Sequence, residues 1–145
     1  HPFWVRPFSD VAIVHNGQIT DYFTQRDRLQ RQGYQFLTEN DSELIAVWVS
    51  DQMKAGLTME QALKKSITSI DGVFTFMIAT PDGIGFAKDR FAMKPLVVID
   101  QMGELAAATE EQAVRRVFAE ESDVINHDGP SLFGIWGVGN RSLAA

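Results

Sequence analysis

The spacing of the apolar residues changes at Asp71-Gly72, and this change limits the folds open to the chain more than any other feature. Before it, apolar residues recur three and four positions apart, as on one face of an amphipathic helix. After it come short apolar runs, of which "VFTFMIAT" and "IGFAKD" flank the turn-forming residues Pro81-Asp82-Gly83. This order predicts an α+β fold, in which antiparallel sheet hairpins pack under helices, and not an alternating doubly wound sheet.

One strand and three helices are predicted before the change. Residues 11–14 form a short apolar run that predicts a buried strand. The first helix is expected from a cap at Asp21 through about Gln32, with Gly33 as its stop, since glycine reaches the left-handed conformation at no steric cost. The second and third helices are indicated by their apolar faces, which are Leu44, Ile45, Trp48, Val49 and Met53 for the second and Met59, Leu63 and Ile67 for the third.

The ends of these two helices also carry signals. Asn40, Asp41 and Ser42 are all good N-caps for the second helix, and Gly56 ends it. Thr58 followed by Gln61 predicts a capping box for the third. Beyond the hairpin, "PLVVID" and "ELAAAT" predict a second strand pair, residues 110–119 a helix, and "VINHDGPSLFGIWGV" two more strands.

Length and composition exclude several classes of protein. The 145 residues fit one domain with a sizeable core, and the net charge of −6 argues against a general nucleic-acid binder. No apolar stretch approaches the ~20 residues that cross a bilayer. The chain has no cysteine, so a thiolate metal site and a cysteine nucleophile are excluded within these residues. We therefore expect no nucleic acid, membrane, metal or cofactor as a partner.

The run "AIVHNGQITDY" places His15, Asn16 and Gly17 where the first strand is expected to end. Asn-Gly is the commonest two-residue hairpin turn, which is the structural interpretation. The alternative is an oxyanion site, because an amide side chain and an unobstructed glycine N–H could both donate to one oxygen. The residues that follow have a helical pattern rather than that of a returning strand, and this favours the site.

Asp41 and His15 each have a structural and a functional interpretation. Asp41 either caps the second helix, in competition with Asn40, or pairs with the ammonium group of an amino-acid substrate. His15 could act as a base, although a lone histidine beside a turn is more often only hydrogen-bonded. His1 and His127 have no partner at metal-ligand spacing.

Five segments, in this order, resemble the class II glutamine amidotransferase domain over residues 1 to about 120: "HPF…VHNGQIT", "GYQFLTENDSELIA", "DGVFTFMIATPDG", "KDRFAMKPL" and "ATEEQAV". These domains are N-terminal-nucleophile glutaminases, and the resemblance is greatest to glutamate-synthase-like amidotransferase subunits. It implies a four-layer αββα sandwich of two antiparallel sheets. It also implies that the Asn16 side chain and the Gly17 N–H are oxyanion donors, and that Asp41 binds the α-ammonium of glutamine.

The chain departs from the family in two places. The family's nucleophile is an N-terminal cysteine, and its "R-x-x-T-H" stretch, with an arginine for the glutamine carboxylate, should lie just before "HPF"; neither is present. We therefore expect residues 1–145 to be the C-terminal portion of a single amidotransferase domain, inactive by itself. The intact domain would hydrolyse L-glutamine in the cytoplasm and pass ammonia to a synthase partner. The alternative is a non-catalytic scaffold or regulatory subunit with the same fold.

Overall fold

Two antiparallel sheets form the centre of the computed structural model, which describes residues 1–5, 10–101, 103–118, 122–137 and 140–142. The larger sheet has the order β1-β2-β3-β4-β8-β9, and its strands are Phe3–Trp4, Ala12–Ile19, Gly72–Thr80, Gly83–Lys88, Phe133–Gly137 and Asn140–Ser142. The smaller sheet has the order β6-β5-β7, and its strands in chain order are β5 (Val97–Gln101), β6 (Glu104–Ala108) and β7 (Ile125–Asn126).

In the part of the chain that the structure describes, four helices lie outside the sheets. They are α1 (Tyr22–Arg31), α2 (Asp41–Lys54), α3 (Met59–Ser69) and α4 (Glu111–Val114). Helix α2 packs on β1 and β2, α3 packs on β4 and β8, and α1 lies against α2. The short α4 packs on β5 and β6. Within the described residues, no helix is long and apolar enough to span a membrane.

Three apolar clusters separate the layers. The largest lies between the helices and the six-stranded sheet and includes Ile45, Leu63 and Phe76. The second lies between the two sheets and includes Phe86, Val98 and Trp136, while the third joins the smaller sheet to α4. Helices, sheet, sheet and helix therefore stack in four layers, which confirms the predicted α+β class and αββα sandwich.

The local signals explain where most helices begin and end. The Thr58 side chain accepts from the Gln61 N–H at 3.2 Å and the Gln61 side chain accepts from the Thr58 N–H at 3.0 Å, so the predicted capping box of α3 is present. Gly33 follows α1 with a φ of +96°, as its predicted role as a stop requires. Asp21 occupies the N-cap position of α1 but makes no side-chain capping bond.

Three sequence-based expectations need correction. Strand β2 does not end at His15-Asn16-Gly17; it continues to Ile19, and Val14 is 42% exposed although the run was expected to be buried. The helix predicted for 110–119 is regular only over Glu111–Val114, because the next N–H groups bond three residues back and tighten the chain into turns; residue 119 lies outside the described residues. Strands β7 and β8 exist but belong to different sheets.

Candidate active site

Strand β2 positions its side chains alternately on two layers. Ile13 and Ile19 belong to the apolar cluster under the helices, and His15 shares their face. The Asn16 side chain points to the other face, toward the second sheet. There it borders a cavity of about 160 Å³ whose lining is mainly apolar: Val14, Thr75, Met77, Leu96, Ala107, Ala108 and Thr109. Asn16 is opposite Thr75 in the ladder with β3, so the Asn-Gly pair is not a hairpin turn.

Gly17 is held in a conformation and a space that only glycine fits. Its φ is +143°, and a Cβ would lie 1.9 Å from the Val73 carbonyl oxygen. Gly17 is opposite Phe74, whose N–H donates to Asp89 Oδ2 at 2.6 Å and whose carbonyl accepts the Asp89 N–H at 3.0 Å. Phe74 therefore directs its polar groups toward β4, and Gly17 forms a non-hydrogen-bonded pair with it.

The Gly17 N–H consequently faces the outer edge of β2. Strand β1 pairs with that edge only at Ala12 and Ile13, so among the described residues no strand covers the edge at Gly17. The N–H of Ile19, two residues further along the same edge, donates to Asp41 Oδ2 at 3.1 Å. An uncovered backbone donor and a carboxylate thus lie along one strand edge.

Asp41 is the first residue of α2 but does not cap it. Asn40 is the N-cap, and its side chain accepts from the Ser42 N–H at 2.8 Å. The Asp41 side chain is 23% exposed, and its Oδ1 lies 3.6 Å from His15 Nδ1. Its carboxylate is therefore attached to β2 on one oxygen and accessible to solvent, which leaves it able to bind a cation.

Glu43, two residues further on, has a structural role. It is only 3% exposed, and its two carboxylate oxygens accept from the Leu37 N–H at 2.7 Å and the Thr38 N–H at 2.8 Å. These bonds attach the segment before α2 to the helix. Of the two acids in "DSE", only Asp41 keeps an accessible oxygen.

A chain of polar contacts lies behind Asp41. The His15 side chain is 2% exposed, and its Nδ1 lies 3.1 Å from Ser42 Oγ. Ser42 Oγ in turn lies 2.8 Å from His1 Nε2. Burial lowers the pKa of His15, and the positive charge of Lys94 acts in the same direction, whereas Asp41 opposes them. His15 is accordingly a neutral imidazole at neutral pH.

The three predicted site residues all lie on or against one strand. Asn16 and Gly17 belong to β2, and Asp41 bonds to it at Ile19. Three participants, His1, Ser42 and the Ile19 N–H, are not predicted from sequence. Their involvement follows from the β1–β2 register and from the packing of α2 on β2, which no local pattern encodes.

The comparisons with known proteins agree with this fold. A model of the glutamine amidotransferase domain matches residues 1–116. The chain is 40% identical over 117 residues to a Methanothermobacter thermautotrophicus protein assigned to the glutamine amidotransferases, covering 81% of this chain and 38% of that protein. It is 33% identical over 136 residues to the glutamine amidotransferase-like protein GlxB of Rhizobium meliloti, covering 94% of this chain and 44% of GlxB.

More distant proteins share the fold. Glutamine–fructose-6-phosphate aminotransferase of Escherichia coli is 32% identical over 122 residues, which are 79% of this chain and 20% of the enzyme. The glutamine phosphoribosylpyrophosphate amidotransferase of Bacillus subtilis superposes with a TM-score of 0.80 at 21% identity, over 98% of this chain and 30% of that one.

These matches define the class of protein. The chain belongs to the glutamine amidotransferase domain family, in its class II, with the fold of the N-terminal-nucleophile enzymes. It spans less than half the length of each of these curated relatives.

Proposed function

We propose that residues 1–145 are the C-terminal portion of a glutaminase domain that hydrolyses L-glutamine to glutamate and delivers ammonia to a synthase partner. One observation carries the proposal. The Asp41 carboxylate is bonded to the same edge of β2 that exposes the Gly17 N–H, and the Asn16 amide is adjacent. A cation-binding oxygen and two oxyanion donors suit a substrate with an ammonium group at one end and an amide at the other.

Each residue has a distinct part in this mechanism. Asp41 binds the α-ammonium of glutamine in the ground state. A cysteine thiolate, supplied from outside residues 1–145, attacks the side-chain amide carbon, and the Asn16 amide and Gly17 N–H stabilise the resulting oxyanion. The leaving nitrogen takes up the proton that the thiol gave up, so that ammonia leaves as the thioester forms, and water then hydrolyses the thioester to glutamate and restores the thiol.

The names of the relatives support an ammonia-accepting partner without specifying it. One relative is an aminotransferase acting with fructose 6-phosphate, and another is a phosphoribosylpyrophosphate amidotransferase. The partner of this domain is accordingly a synthase domain or subunit, and we favour a cytoplasmic, glutamate-synthase-like system.

A scaffold or regulatory role is the second candidate function. The observation in its favour is the absence of cysteine from the 145 residues. The site geometry favours the enzyme, because a scaffold has no physical need for an exposed amide at Asn16 close to an anchored, solvent-accessible carboxylate at Asp41.

Replacement of Asn16 tests the enzymatic function. In the longer protein that contains this chain and its upstream nucleophile, Asn16→Ala should lower kcat for glutamine hydrolysis by ~100-fold and change KM little, because an oxyanion donor acts mainly in the transition state. Gln18→Ala is the matched control, since Gln18 is an exposed amide on the same face of β2. Equal kcat values for the two variants would contradict the role of Asn16, and a wild-type protein without glutaminase activity would support the scaffold.

Residues 1–145 expressed alone provide a second prediction. Without a thiol they should release no ammonia from glutamine, and diazo-oxo-norleucine, which alkylates the nucleophilic thiol of such enzymes, should leave their mass unchanged. Intact-mass spectrometry and an ammonia assay give the readout. Glutaminase activity of this material would refute the assignment of the nucleophile to a cysteine outside it.

A further inference from the structure

The proposed mechanism leaves one polar cluster unused, in which Ser42 and the His15 side chain are buried and His1 is exposed. It contains His1, Ser42 and His15, which lie behind the Asp41 carboxylate in a continuous line of polar contacts. The cluster joins the segment before β1 to β2 and α2, and these elements meet at the proposed site.

Ser42 is not a second nucleophile. It is only 2% exposed, and its Oγ lies between His1 Nε2 at 2.8 Å and His15 Nδ1 at 3.1 Å. A serine activated by a histidine and an acid would need those two groups on different nitrogens of the ring. Here Ser42 and Asp41 both approach Nδ1 of His15, so that arrangement is absent.

The protonation of His15 follows from its surroundings. Its Nε2 is buried without a hydrogen-bond partner among the described residues. A proton there would be an unpaired buried donor, which is costly, whereas a proton on Nδ1 has Ser42 Oγ within hydrogen-bond distance and the Asp41 carboxylate nearby. The neutral ring therefore carries its proton on Nδ1 and donates to Ser42 Oγ, and Ser42 donates to His1 Nε2.

We infer that His15 is a positioning residue for substrate binding: its neutral imidazole fixes the Asp41 carboxylate from behind without neutralising its charge. The inference rests on the proposed role of Asp41. Oδ2 is fixed by the Ile19 N–H, and Oδ1 faces the Nδ1–H side of the ring at 3.6 Å. The Ile19 hydrogen bond and the electrostatic contact with the His15 ring, which is longer than a hydrogen bond, together orient the carboxylate, and its negative charge stays available to the α-ammonium of glutamine.

A protonated His15 would act in the opposite sense. Its positive charge would lie beside Asp41 and compete with the substrate ammonium for the same carboxylate. The charged or titratable groups around the ring are Asp41 and His1, which contact it directly or through Ser42, and Lys94, whose positive charge opposes protonation. Binding of ligands with an α-ammonium should therefore weaken as the pH falls below the usual histidine range.

The test compares two competitive inhibitors of the full-length enzyme. L-Glutamate carries the α-ammonium, and glutarate has the same carbon chain without it. As a replacement at position 15, an asparagine side chain places an amide donor where the Nδ1–H of His15 lies, whereas a glutamine side chain does not. We therefore expect His15→Gln to raise the inhibition constant of L-glutamate about fivefold, because the electrostatic contact of the Nδ1–H with Asp41 Oδ1 at 3.6 Å is lost, and to leave that of glutarate unchanged. His15→Asn should remain within about twofold of the wild type.

The matched control is His127→Gln. His127 is also a partly buried histidine, but it lies against Phe86, in the cluster between the sheets. The His127→Gln substitution should leave the inhibition constants of L-glutamate and glutarate unchanged. The same inhibition constants can be measured for the wild-type enzyme without a variant. As the pH falls from 7.5 to 5.5, the inhibition constant of L-glutamate should rise and that of glutarate should not rise with it.

The outcomes separate this inference from the proposed function. If Asp41→Asn leaves L-glutamate inhibition unchanged, the role of Asp41 fails and the inference with it. If Asp41→Asn weakens inhibition by L-glutamate but His15→Gln does not, or weakens glutarate equally, only the inference is overturned. In the double variant His15→Gln/Asp41→Asn the effect of His15 should vanish, because the group it positions no longer carries a charge.

Discussion

Among single residues, three neighbours at the start of α2 have similar chemistry and different functions. Asn40 caps the helix, Asp41 bonds to β2, and Glu43 holds the preceding segment. From the sequence, Asn40 and Asp41 are equivalent capping candidates. The choice between them is made by the Ile19 N–H, a tertiary donor that competes for Asp41.

Gly17 allows a prediction at the same scale. Gly17→Ala should lower the free energy of unfolding by at least ~2 kcal/mol. The alanine Cβ would clash with the Val73 carbonyl oxygen, and the alanine backbone would have to adopt a positive φ. Gly33→Ala is the control, since Gly33 also has a positive φ but nothing lies within 4 Å of its Cβ position. It should cost ~1 kcal/mol. Urea denaturation measures both, and equal losses would contradict the steric explanation.

At the scale of elements, capping was predictable and strand length was not. The pair Thr58 and Gln61 specifies the start of α3 by bonds within four residues. The extent of β2 depends instead on eight partners in β3, from Gly72 to Ala79, which the local sequence does not reveal. Strand pairing with distant residues also decides the sheet to which each strand belongs. The sequence of residues 125–137 therefore predicts two strands correctly but not that they lie in two different sheets.

The difference between α3 and α1 makes the value of a capping bond measurable. Thr58→Ala should reduce the free energy of unfolding by ~1 kcal/mol, because it removes the acceptor for the Gln61 N–H. Asp21→Ala should cost less, since Asp21 caps no backbone N–H of its helix and accepts instead from the Gln25 side chain, at 2.7 Å. Chemical denaturation of both variants decides the matter. A larger loss for Asp21→Ala would contradict the assigned caps.

At the scale of the whole molecule, the four layers follow from the sequence more directly than the site does. The helical faces and the hairpin at Pro81-Asp82-Gly83 already indicate helices on antiparallel sheets. The site needs strand register and layer packing: His1 reaches Ser42 because Phe3 pairs with Ile13, and Ser42 reaches His15 because α2 packs on β2. Such contacts between residues 27 and 41 positions apart lie beyond any local pattern.

Two buried histidines give the molecule a predictable pH dependence. Burial lowers the pKa of both His15 and His127 below the usual 6.5, and Lys94 and Lys88 respectively act in the same direction. The folded state then binds fewer protons than the unfolded state. This contribution to stability is complete above pH 6.5 and is lost as the pH falls through the lowered pKa values.

The measurement is the free energy of unfolding by urea at pH 7.5, 6.5 and 5.5. The wild type should lose stability between pH 6.5 and 5.5, and the double variant His15→Gln/His127→Gln should lose less over the same interval. The difference between the two pH slopes measures the contribution of the histidines. An identical pH slope in the two proteins would contradict the account.

The central claim is that Asp41 binds the substrate ammonium, and Asp41→Asn in the full-length enzyme tests it most directly. Asparagine caps a helix as well as aspartate does, and Asn40 already caps α2, so the change removes the charge and little else. KM for glutamine should rise at least tenfold, as expected for a lost hydrogen bond to a charged group, while kcat stays within about threefold. A KM equal to that of the wild type would contradict the claim.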